Sequence, residues 1–176
     1  MLPDLLPGDI ILSRSKTWIS KTIRFFSKLQ SGDARVSHAV LVLGDGLVIE
    51  SLVKIRINEL AKYKDQTIVI YRLKDHSDSD RESVRREALK VTGNTYGLLK
   101  LPLFVLDSFS SVIRRRPVYF FTQTFGITNF QVCSNFVAWI WRTHGNHIWP
   151  IDWRSISPDY LDDWCSRNAD LIYSSL

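Results

Sequence analysis

Three side chains in this sequence have the types and placing of a nucleophile, its base and a group to orient the base: Cys133, His38 and Glu50. The segment QVCSNFVAWIWRTHG reads as a helix that is apolar at Phe136, Val137, Ile140 and Trp141, and Cys133 stands at its beginning. A cysteine there faces unpaired backbone N–H groups and the positive end of the helix dipole, both of which favour the thiolate. The N–H groups of Cys133 and Ser134 are also placed to receive the oxyanion that forms when a thiolate attacks a carbonyl.

A thiolate nucleophile needs a base, and His38 is selected among the four histidines partly by exclusion. His144 lies on the same helix as Cys133, roughly 16 Å further along at about 1.5 Å per residue. His147 follows the end of that helix, and His76 sits in the polar run DHSDSD. His38 instead interrupts an apolar strand, where an unpaired imidazole would cost desolvation. Glu50 lies on the next apolar run, and Gly44-Asp45-Gly46 marks a tight turn near the midpoint between the two. A hairpin then brings the two side chains close on one face, where the carboxylate can accept the imidazole N–H and fix its tautomer. Each residue alone has a plainer alternative: a cysteine that fills core, a strand histidine that is simply hydrogen-bonded, a glutamate at a solvated edge. Their joint arrangement is what points to nucleophilic acyl chemistry.

The elements that must hold these residues follow from turn signals and periodicity. Pro7-Gly8 leads into a first strand at Ile10 and Ile11, VSHAVLVLGDGLVIESL forms the hairpin, and TIVIYRL is a further strand. The spacing of Trp18, Thr22, Phe25 and Leu29 predicts an amphipathic basic helix over Lys16–Leu29. A helical turn is expected over Asn58–Tyr63 and a helix over about Arg81–Val91, ended by Gly93. Gly145 is expected to C-cap the cysteine helix. Ser157-Pro158 opens a helix to about Cys165, and ADLIYS is a last strand.

The chain has 176 residues, a net charge of +5 and 45% hydrophobic residues, which describes one globular domain over 1–176 and excludes collagen-like, disordered and cysteine-stapled classes. Leu98–Ile113 is broken by Lys100, Pro102 and Asp107, so no membrane-spanning helix is expected. MLPDLLPGD does not read as a signal peptide, so the expectation is cytoplasmic synthesis, with any work in the cell envelope requiring delivery by a phage or secretion system. Basic residues gather over Arg14–Arg35 and at Arg114, Arg115 and Arg116, which favours anionic partners: a cell-wall peptide or a lipid surface with peripheral membrane contact. Nucleic acid ranks last, because Trp139, Trp141, Trp149, Trp153 and Trp164 read as core or cleft wall. No cofactor and no metal are called for, since the histidines are scattered and Cys133 with Cys165 lacks zinc-site spacing.

The order PGDII, SHAVLV, VIES, GNTYG, VCSNFVAW and SPDYL, running from Pro7 to about Asp163, resembles the permuted, YiiX-like branch of the NlpC-type papain-like superfamily, in which the histidine and its polar partner precede the cysteine. The lecithin retinol acyltransferase branch is similar more distantly. The resemblance implies an α+β, papain-like fold, an antiparallel sheet packed against the nucleophile helix. It implies Cys133 as nucleophile, His38 as general base, Glu50 as its orienting group, and Tyr96 of GNTYG beside the oxyanion site. The implied activity is that of a thiol peptidase or amidase, cleaving an amide in a peptidoglycan peptide through a thioester. The departure is an apolar, arginine-bearing insertion or lid at about 98–130, which keeps open a thioesterase or acyltransferase on lipid-like acyl groups. A catalytically silent binding module of the same fold is the third reading.

Overall fold

Pro7-Gly8 turns the chain into the apolar run of β1 (Ile10–Arg14), and five more strands assemble around it: β2 (His38–Gly44), β3 (Leu47–Ser51), β4 (Ile55–Glu59), β5 (Thr67–Leu73) and β6 (Ala169–Ser174). The computed structural model describes residues 3–14, 35–51, 54–94 and 133–175. The expected basic helix over Lys16–Leu29, Tyr96, the segment 98–130 and Arg114–Arg116 lie outside the described residues. The sheet is antiparallel throughout, in the order β4-β3-β2-β1-β5-β6. Three α-helices are described: α1 (Asp78–Lys90), α2 (Cys133–His144) and α3 (Pro158–Asn168).

The β2–β3 turn is made by Asp45 and Gly46, both at positive φ (54° and 71°), the backbone that a two-residue hairpin turn with right-handed strand twist demands. The expected helical turn over Asn58–Tyr63 is only partly helical. Leu60–Tyr63 forms a 3-10 turn, but Asn58 and Glu59 end β4, which pairs with β3 in the register Glu50↔Arg56 and Val48↔Asn58. β4 is a short edge strand whose exposed residues include Arg56 and Glu59, so ladder pairing rather than an apolar pattern fixes it.

α1 starts before Arg81 because the side chain of Ser77 accepts from the Asp80 N–H while the Asp80 carboxylate accepts from the Ser77 N–H at 3.0 Å, a reciprocal cap. α3 opens on Ser157, whose hydroxyl accepts from the Tyr160 N–H at 3.1 Å, with Pro158 in the first turn where no N–H is missed. At the end of α2 the left-handed residue is Asn146 (φ 55°), not Gly145. Gly145 is required for space instead: a Cβ there would meet the ring of Trp141 and sit 2.9 Å from Val84 Cγ2.

Alternation along the strands gives the sheet two apolar faces. Leu12, Ala39, Leu41 and Ile49 pack with Phe136, Val137, Ile140 and Trp141 of α2, while Ile11, Val40, Val48, Ile68 and Ile70 cluster with Tyr63 on the opposite face. The PGD turn is tied in by Asp9, fully buried, which accepts from Arg72 Nε at 2.8 Å, Arg72 Nη2 at 2.7 Å and the Leu6 N–H at 2.9 Å. That network joins the start of β1 to β5, and Trp141 joins it to α2 by donating Nε1–H to the Gly8 carbonyl at 3.0 Å.

Candidate active site

His38 is the first residue of β2, and Glu50 lies one residue from the end of β3. The ladder sets Glu50 opposite Val40, so it is the diagonal neighbour of His38, within reach of a long side chain. The His38 Nε2 and Glu50 Oε2 atoms are 2.8 Å apart, and both side chains are buried. With Nε2 committed as donor to the carboxylate, the nitrogen left on the neutral ring is Nδ1, an acceptor that is buried and has no well-formed hydrogen bond.

Cys133, the first residue of α2, is buried and lies close enough to that ring for the two charges to couple. Burial opposes the thiolate, yet the His38 charge, the polar contact with its ring and the backbone N–H groups of Ala39 and Ser134 outweigh it, so the thiol is held below its ordinary value. Burial likewise opposes the imidazolium, and the Cys133 charge, the contact with the thiol and the bond to Glu50 raise His38 to about 9. Burial works against the Glu50 anion too, but His38, Lys62 and Tyr63 hold it well below the usual carboxylate range. Both shifts act in the direction of a thiolate beside an imidazolium.

Four groups around this trio escape a reading of the sequence alone. Tyr63 donates its hydroxyl to Glu50 Oε2 at 2.6 Å, and Lys62 Nζ and Asn58 Nδ2 donate to Oε1 at 2.6 and 2.8 Å, with Arg56 Nε 3.5 Å from the same oxygen. The missing signal was β4: once Ile55–Glu59 is a strand beside β3, Arg56 falls opposite Glu50 and the following turn folds back over the carboxylate. The Ala39 N–H, adjacent in the chain to His38, is a further donor to the sulfur. Ser134 lies where a helix-start donor should, with its hydroxyl spent on the Ile156 carbonyl at 2.7 Å and its N–H directed to Cys133.

The remaining histidines and the second cysteine are elsewhere. His76 and His147 are joined to each other, Nε2 to Nδ1 at 3.0 Å, and His144 lies against Trp139. Cys165 is a free thiol in the core, raised far above its ordinary value by burial and then by Asp162. Among the described residues no helix is long and apolar enough to cross a membrane.

An antiparallel sheet with a thiol at a helix start, met by an imidazole and a carboxylate at a strand end, defines an α+β protein whose fold is compatible with a hydrolase. No family model matches the chain, and no curated protein matches it. Among solved structures it is similar to the metalloprotein yiiX from Escherichia coli O157:H7, with a TM-score of 0.55, 16% identity, and coverage of 98% of this chain and 91% of that one. The fold is yiiX-like.

The metal in that protein's description prompts a test of the donors here. Among the described residues no group of three His, Cys, Asp or Glu side chains could hold an ion. Glu50 is already saturated by donors that include an ammonium group, and His38 Nε2 is taken by Glu50. The described residues do not fit a metal.

Proposed function

We propose that the protein is a cysteine hydrolase of the permuted, papain-like type, with Cys133 as nucleophile, His38 as general base and Glu50 as the group that orients it. The observation that carries the reading is the buried relay: a thiol at a helix start against an imidazole whose other nitrogen is 2.8 Å from a buried carboxylate. The Cys133 thiolate attacks an acyl carbon, and the oxyanion is met by the N–H of Ser134. His38 gives its Nδ1 proton to the leaving amine as the C–N bond breaks, leaving a thioester. Water then attacks the thioester, His38 takes its proton, and the thiolate leaves. Tyr96 is proposed beside the oxyanion on the family resemblance alone.

The substrate we favour, an amide in a peptidoglycan peptide, rests on that resemblance. A second reading, thioester or acyl transfer on lipid-like substrates, rests on the apolar, arginine-bearing sequence 98–130. Alkylation of Cys133 by iodoacetamide across pH, in the wild type and in His38→Ala, tests the relay. Labelling well below the free-thiol pKa of about 8.5, slowed by loss of His38, is expected. Labelling that follows an ordinary thiol in both proteins refutes the catalytic reading.

A further inference from the structure

We propose that Lys62, Tyr63 and Asn58 are positioning residues that act through Glu50, holding its carboxylate charged, fixed in rotation and closed to the His38 proton. The inference deepens the reading of Cys133 and His38 as nucleophile and base, and rests on it.

A carboxylate has about four lone-pair sites, and four donors at 2.8 Å or less fill them here: His38 and Tyr63 on Oε2, Lys62 and Asn58 on Oε1. A proton on either oxygen would have to displace one of these donors. A rotation of the carboxyl group would break several at once. His38 therefore keeps its Nε2 proton throughout, and the proton that moves in the reaction is the one carried by Nδ1.

Burial alone does not require this arrangement. The Lys62 side chain is 43% exposed and that of Arg56 is 54% exposed, so neither needs Glu50 for its own solvation, yet Lys62 reaches in to 2.6 Å. Tyr63 is the opposite case, a buried ring whose hydroxyl shares the oxygen that His38 uses. The donors come from β4 and the 3-10 turn after it, so the chain leaving β3 returns to enclose the carboxylate that β3 carries. Among the described residues, the charged and titratable groups facing Glu50 are then His38, Lys62, Arg56 and Tyr63, with Cys133 beyond the imidazole.

The sign of each substitution follows from the potential at the Cys133–His38 pair. Removing a cation or a donor dipole makes that potential more negative, so the thiolate forms at higher pH and the imidazolium also loses its proton at higher pH. Removing the anion does the reverse. In the full-length chain, thiolate appearance is followed by its ultraviolet absorbance against a Cys133→Ala control, and His38 ionisation by NMR of the imidazole. Lys62→Met is expected to move both ionisations up by about half to one pH unit, allowing for solvent screening of the lysine. Tyr63→Phe moves both up by less, Lys62→Arg restores the wild-type values, and Glu50→Gln moves both down. A purely structural loosening changes rates without that paired, sign-reversing shift. Lowered wild-type thiol ionisation with unmoved variants, or variants that move the two ionisations in opposite directions, overturns this inference alone. A wild-type Cys133 that ionises as a free thiol overturns the catalytic reading and this inference with it.

Discussion

Gly145→Ala tests whether the end of α2 far from Cys133 is held by contact rather than by turn chemistry. The added Cβ falls closest to Trp141 Cε3, 2.6 Å from Cζ3 and 2.9 Å from Val84 Cγ2, all inside van der Waals contact. The indole has nowhere to retreat. It is fully buried, its Nε1–H is bonded to the Gly8 carbonyl, and Gly8 is so close that a Cβ there would lie 2.5 Å from Cζ2. Overpacking of this kind costs about 1–3 kcal/mol, and contacts this short belong at the upper end. Because Gly145 is not at positive φ, alanine recovers about 0.4–1 kcal/mol through the unfolded chain. The net loss is about 2 kcal/mol, or a fall in Tm of roughly 4–8 °C for a chain of this size. Urea denaturation should show a lower midpoint at unchanged slope, and alkylation of Cys133 should slow if the strain tilts α2. A variant as stable as the wild type would refute the claim that Trp141 is clamped between the two glycines.

Glu50→Ala leaves the Tyr63 hydroxyl and the His38 imidazolium without their anion, and removing one partner of a buried pair costs about 3–5 kcal/mol; urea unfolding that reports under 1 kcal/mol would show that Glu50 holds no such charge. Cys165, raised by burial and then by Asp162, should escape iodoacetamide at neutral pH while Cys133 is labelled, with equal labelling in the native protein as the contrary result. Burial, and then the charge of His76, lowers His147 to about 4, and burial lowers His76. A histidine depressed in the folded state contributes stability above its unfolded pKa of about 6.5 and loses it as the pH falls toward the folded value. Partial exposure of the ring discounts the full effect, so cooling of the melt between pH 7 and 5 should correspond to about 1–2 kcal/mol. Replacing His147 with Phe should narrow that gap, and a gap left unchanged would place the acid sensitivity elsewhere.

Local signals in the sequence carried as far as short-range physics reaches. The hairpin is one such case, because Asp45 and Gly46 occupy the positive-φ positions of a two-residue turn, and that turn length sets the register of the strands on either side. The proximity of residues 38 and 50 is a consequence of that register alone. Ser157-Pro158 likewise carries its own helix start. β4 was illegible because Ile55, Arg56, Ile57, Asn58 and Glu59 carry too little apolar weight to announce a strand, and only the neighbouring β3 makes them one. The donors around Glu50 depend on β4 and were lost with it. Gly145 was misread for a different reason: a glycine after a helix has the same sequence signature whether it supplies a left-handed turn or clearance for an indole.

The two-faced sheet explains why the imidazole sits where it does. By alternation Glu50 belongs with Val40, Val48 and Tyr63, while Cys133 belongs with Ala39, Leu41 and Ile49 under α2, so the carboxylate and the thiol lie on opposite faces of the sheet. A histidine in mid-strand could touch only one of them, since the backbone ladder would stand between. His38 is the first residue of β2, and the last described β3 residue paired in that ladder is Glu50, opposite Val40, so the ring stands where the wall between the two faces ends. From there it reaches Glu50 by Nε2 and meets the thiol of α2 with the rest of the ring. The hairpin can thus build the histidine–carboxylate pair from residues close in sequence, with its turn and register already set, while the thiol arrives from a helix some 95 residues later in the chain. A chain order of histidine, carboxylate and then cysteine is what this division of labour produces: a histidine–carboxylate pair built locally, and a thiol docked onto its open end by the burial of Phe136, Val137, Ile140 and Trp141.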